Sequence, residues 1–175
     1  GLSPEQLSRY LARMLDKPES IRLRPGFSEA VIEAADRLLA SSDDAEFESA
    51  ALLAKFATWH LESQAGNKAA AQALAALAEE HAKSPRPEIA REATFHLLEQ
   101  RVSETGPDAV VEVPMLIASL QIFFSTGPVE ERHLPLAVAT VRIVGLLDDE
   151  ALAQETLQQF GELFSVSRDR LVRRL

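Results

Sequence analysis

The sequence predicts an all-α fold: a degenerate, tetratricopeptide-like α-solenoid array of antiparallel helix pairs, about eight or nine helices in all. Three observations predict it. Helix start and stop signals recur along the whole chain. Ala and Leu dominate while aromatic residues make up only 6%, a balance that favours helices over sheets. A short pattern is also written twice, as ATWHL at Ala57–Leu61 and ATFHL at Ala93–Leu97.

The elements follow in order. SPEQLSRYLARMLD has Ser3 as N-cap, Pro4 at the first helical position and an apolar stripe of Leu7, Leu11 and Leu15. The stretch from Arg24 to Ser41 predicts a second helix, with Phe27, Val31, Ala34, Ala35 and Leu38 on one face. A third runs from a cap at Ser42 or Asp43 to a stop at Ala65-Gly66, and a fourth from Asn67 to the SPRP break. Pro87-Glu88 opens a fifth, which Gly106 closes. Pro107–Ser125 predicts a sixth, with Pro114 either kinking it or marking its true start, and Pro135 poses the same question within Val129–Leu147. Asp148 or Asp149 begins an eighth helix, and SRDRLVRRL begins a ninth. The one strand-like cluster, Val110, Val111 and Val113, has no candidate partner strand.

Thr58 and Thr94 stand 36 residues apart, and a third echo, ATVRIV, follows at Ala139–Val144. Steps of this size, each covering a helix pair, belong to α-solenoids. The reading therefore places Ala57, Ala93 and Ala139 at equivalent packing positions and treats His60 and His96 as echoes of one another.

Composition narrows the function. The 175 residues, 46% hydrophobic and 26% charged, suit a single domain spanning 1–175. A net charge of -9 repels phosphate backbones, so a nucleic-acid partner is not expected. The chain has no cysteine, which removes disulfides, thiolate chemistry and Cys-based zinc sites. The longest apolar run, Val113–Phe124, is too short to span a membrane. The absent initiator Met and the RDRLVRRL end suggest a piece of a longer protein.

No catalytic constellation emerges. His60, His81, His96 and His133 form no HExxH and no pair at helical spacing. The acidic pairs Asp43-Asp44, Glu79-Glu80, Glu130-Glu131 and Asp148-Asp149 join adjacent residues, which do not share a helix face. The glycines are isolated and form no phosphate loop. The expectation is no catalytic residue, no cofactor and no metal. Ile122-Phe123-Phe124 reads as core. Arg170, Arg173 and Arg174, basic residues in an acidic chain, are the candidates for contact with a further domain.

Three segments, EAADRLLAS, LAALAEEHAKSPRPEIAREATFHLLEQR and FGELFSVSRDRLVRRL, taken in order, resemble the helical region that precedes the thioredoxin-like domain in certain bacterial TlpA-type thiol–disulfide oxidoreductases. The resemblance spans about Phe27–Leu175. It implies an exported, extracytoplasmic or periplasmic protein whose redox motif, CxxC, lies downstream of Leu175, with the present residues as its non-catalytic partner. Without it, the compartment is unknown. The sequence thus predicts a non-enzymatic interaction or scaffold module whose partner is a protein, a redoxin-like domain of the same chain. A small α-helical enzyme, a His-based metal-binding domain and a homodimeric assembly module remain the alternatives.

Overall fold

A computed structural model describes residues 1–106, 112–167 and Arg173. Among these, nine α-helices and one 3₁₀ turn form the chain, with no strand. The helices pack on their chain neighbours, and the fold is all-α. The chain divides into two compact units, Gly1–His96 and Leu97–Leu175, a finer division than the single domain that length suggests.

Unit 1 holds α1 (Pro4–Leu15), α2 (Glu19–Arg22), α3 (Phe27–Ser41), α4 (Ala45–Gln64), α5 (Lys68–His81) and the first half of α6 (Pro87–Glu104). Side-chain caps set most of its helix starts. Ser3 and Gln6 form a reciprocal capping box on α1. Asp44, rather than Ser42 or Asp43, caps α4 through the Glu46 amide at 2.8 Å, while the Ser42 hydroxyl accepts from the Asp44 amide. Gly26 enters α3 at φ 80 and Gly66 leaves α4 at φ 93, a backbone region that a β-carbon disfavours. The short α2 had no signal in the sequence, because a single turn carries no periodicity. Leu7, Leu11, Val31, Ala34, Ala35, Leu38, Ala51 and Ala54 form the core shared by α1, α3 and α4.

Residues near the start of α4 meet residues near the start of α6. Ser49 Oγ donates to Glu88 at 2.8 Å, and Arg86 donates to the Ala45 carbonyl at 2.8 Å and pairs with Glu48. Two turns further on, Phe56 and His60 of α4 meet Phe95 and His96 of α6. The two helices therefore run parallel, side by side, at least as far as His96.

Unit 2 holds the rest of α6, α7 (Val113–Ser125), α8 (Leu134–Val144) and α9 (Glu150–Ser165). Pro114 and Pro135 both stand in the first turn of their helices, so both mark starts and neither kinks a helix. A 3₁₀ turn, Glu131–His133, leads into α8. Phe123, Phe124, Phe160 and Phe164 are buried and meet mostly edge to face. Ile122, expected in the core with its two neighbours, is 64% exposed. A helix with two faces cannot bury three consecutive residues, and α7 turns Ile122 outward. Val110, Val111, Arg170, Arg174 and most of the expected ninth helix lie outside the described residues; Arg173 is exposed.

The three Ala-Thr steps do not share one burial pattern. Ala93 is fully buried while Ala57 and Ala139 are half-buried; Thr58 and Thr140 are buried while Thr94 is half-buried. Thr94 and Thr140 donate back to the carbonyls of Ala90 and Leu136, four residues earlier. Thr58 Oγ1 makes no hydrogen bond to the described residues. Relative to ATWHL, ATFHL is turned by about one residue, roughly 100° around a helix, so Phe95 and His96 face inward while Trp59 and His60 sit half-exposed.

Candidate functional site

Two features of unit 1 gather polar side chains. The first is a groove of about 890 Å³ along α3, α4 and the start of α5. Its apolar lining comes from Ile32, Trp59, Ala69, Ala70 and Ala73, and its rim carries four carboxylates, Glu29, Glu33, Asp36 and Glu62, against one guanidinium, Arg37. Spacing along α3 explains the rim: Glu29, Glu33 and Asp36 follow one another at four and three residues and so share a face. Arg37 is paired with Glu33 at 3.1 Å, but both side chains are 66% exposed, and such a pair adds little stability.

Glu62 is the best supported of these acids. Ser28 Oγ donates to one of its oxygens and Asn67 Nδ2 donates to the other at 3.1 Å. The Ser28 hydroxyl first, and the Asn67 amide second, hold its carboxyl below the usual glutamate range, since both bonds favour the ionised form. Asn67 also caps α5, its Oδ1 accepting from the amides of Ala69 and Ala70. The start of α5 and the charge on the groove thus depend on one residue. Beside the groove, Lys55 Nζ sits 5.0 Å from the centre of the Trp59 ring and pairs with Asp36 at 2.8 Å. A cation already rests on this aromatic face and against a rim acid.

The second feature is the histidine pair. His60 and His96, expected only to occupy equivalent positions, have ring centres 4.8 Å apart. Phe56 stacks on His96 at 5.4 Å with planes 18° apart, and Phe95 meets both histidines at a tilt. Glu92, one turn before His96 on α6, lies 3.1 Å from its Nε2, and both side chains are buried, at 8% and 2% exposure. Glu99 follows His96 by three residues on the same helix. One ligand atom from each of His60, His96 and Glu99 lies within 4.8 Å of the others.

The other candidates stay apart. His81 lies at the end of α5, 3.9 Å from Glu80, and His133 is buried beside Phe123 in unit 2, its Nδ1 accepting from the Glu130 amide at 3.0 Å. The groove went unforeseen because its acids come from two helices, and no local pattern joins Glu62 to Glu33. No helix among the described residues is long and apolar enough to cross a membrane. No known protein family matches the chain, and neither curated proteins nor solved structures yield a match.

Proposed function

We propose that the chain is a non-catalytic protein-interaction module, a degenerate array of helix pairs, whose unit 1 groove docks a lysine- or arginine-bearing segment of a protein partner. The observation that carries this reading is the lining of the groove: four carboxylates and one already paired cation around a half-exposed tryptophan. An acid-rimmed groove with an aromatic wall suits a cationic side chain, which gains both charge pairing and a ring face. Its volume falls within the range of a binding cleft. The resemblance to the helical region of TlpA-type oxidoreductases supports a partner of the redoxin type. In this reading the redox chemistry belongs to that domain, since the chain contains no cysteine.

Trp59 is the only tryptophan and therefore reports on the groove directly. The test is to titrate the chain with a lysine- and arginine-rich peptide and follow Trp59 emission. A saturable change is expected, weakening as salt rises and falling about tenfold in affinity in a Glu33→Gln, Asp36→Asn, Glu62→Gln triple variant. Binding that ignores both salt and the triple variant would sink the reading, as would no response at all.

A further inference from the structure

The histidine pair goes beyond the docking groove and does not depend on it. From it we infer a divalent transition-metal site formed by His60 on α4 and by His96 and Glu99 on α6. The ligand set is specific in kind. Two imidazoles and one carboxylate suit zinc and its neighbours in the first transition row. They do not suit calcium or magnesium, which prefer all-oxygen shells.

The geometry needs only a short closure. Zinc bonds of about 2.0–2.1 Å in a tetrahedron place ligand atoms about 3.4 Å apart, against the 4.8 Å within which the three ligand atoms now lie. His60 and Glu99 are half-buried and have room to rotate, whereas His96 is buried and held. The residue that fixes it is Glu92. A carboxylate behind a metal-bound histidine sets which ring nitrogen carries the proton and raises the basicity of the other. With Glu92 accepting the Nε2 hydrogen at 3.1 Å, the lone pair lies on Nδ1, which is also buried. Phe56, stacked on the ring, prevents it from swinging away.

The competing account is a histidine–glutamate pair that merely fills space between aromatic rings. It explains Glu92, His96 and Phe56. It gives no reason for a second imidazole and a second carboxylate to converge on the same place. Three protein ligands leave a fourth tetrahedral position for water, the arrangement of an open site. A bound ion would also tie α4 to α6 and so raise the melting temperature.

The test uses the full chain with zinc by calorimetry and with cobalt(II) by visible absorption. One equivalent is expected, with cobalt bands of a four-coordinate site containing nitrogen ligands. Both His60→Ala and Glu99→Gln should weaken binding at least about tenfold, and Glu92→Gln should weaken it by a similar factor without removing a ligand. His81→Ala, remote from the pair, should bind as the parent does. If His60→Ala does not fold, Glu99→Gln decides alone, since it keeps the side chain's size. No saturable binding up to about 1 mM metal, or binding indifferent to Glu99→Gln, overturns the inference. In the second case the ion sits on unrelated surface carboxylates.

Discussion

Unit 1 and unit 2 are both helical, yet they fill their interiors differently. In unit 1 the fully buried positions include Ala35, Ala51, Ala54, Ala78 and Ala93, with leucine and valine between them. Small residues let helix backbones approach closely, and packing there depends on the absence of side-chain bulk. In unit 2 the interior is built on Phe123, Phe124, Phe160 and Phe164, with rings 5.0–6.2 Å apart. The surfaces differ as well. Unit 1 exposes Leu2 and Leu23 among its large apolar residues, while unit 2 exposes Met115, Ile122, Val138, Val141, Leu152, Leu157 and Val166. The difference teaches that one composition rich in Ala and Leu builds two kinds of helix packing. The polar groove and the histidine pair arise where the small residues bring helices together.

The largest effects should come from changing size in opposite directions. Phe160 is 1% exposed and meets Phe124 edge to face. Phe160→Ala should cost about 3–5 kcal/mol, since it removes a ring and leaves a cavity that the other rings cannot fill. In unit 1 the matching break is an enlargement. Ala51 is fully buried, and Ala51→Leu should cost about 1–3 kcal/mol through overpacking. Urea unfolding followed by circular dichroism measures both. If Ala51→Leu were neutral, the close-packing account of unit 1 would be wrong.

Much of this fold was legible in the sequence because helix ends carry chemistry. Ser3, Asn67, Pro87 and Asp149 mark their helix starts as their side chains require. Pro114 and Pro135 were ambiguous, because a proline sits well in a first turn and badly anywhere later. The face of a helix was harder to read. Ile122 was assigned to the core because its neighbours are Phe123 and Phe124, and an uninterrupted apolar run does not show which residue turns outward. The histidine pair posed a different problem. Echo and site were treated as rival explanations, yet α4 and α6 run side by side with only α5 between them in the chain. Residues 36 apart on such helices come together whether or not they do chemistry. Spacing within one helix could never show this, because the convergence is tertiary.

Helix caps give a mid-sized contrast between the units. Asn67 accepts from two amides at the start of α5 and also donates to Glu62, whereas Asp149 accepts from one amide at the start of α9. Asn67→Ala should cost about 1–2 kcal/mol and Asp149→Ala about 0.5–1 kcal/mol. Thermal unfolding of the two variants under one set of conditions measures the difference. Equal losses would mean that the bond to Glu62 adds nothing to the α5 cap.

The smallest effect is electrostatic and belongs to the groove of unit 1. Ser28 and Asn67 hold the Glu62 carboxyl below the ordinary glutamate value of 4.5. A carboxyl with a depressed folded pKa adds stability that is fully present above its unfolded pKa and is lost as pH falls through the folded one. Removing the hydroxyl in Ser28→Ala should move the carboxyl back toward the ordinary value. The parent should therefore be more stable than the variant near neutral pH, and the gap should close as acid protonates Glu62 in both. Because Glu62 is only half-buried and faces water, salt should shrink the gap further. Denaturation of parent and variant from about pH 6 to pH 3, with an NMR titration of the Glu62 side chain, measures the shift and its sign. A gap that widens in acid would mean that Ser28 supports the protonated carboxyl. The groove would then lose the anion on which its choice of a basic partner rests.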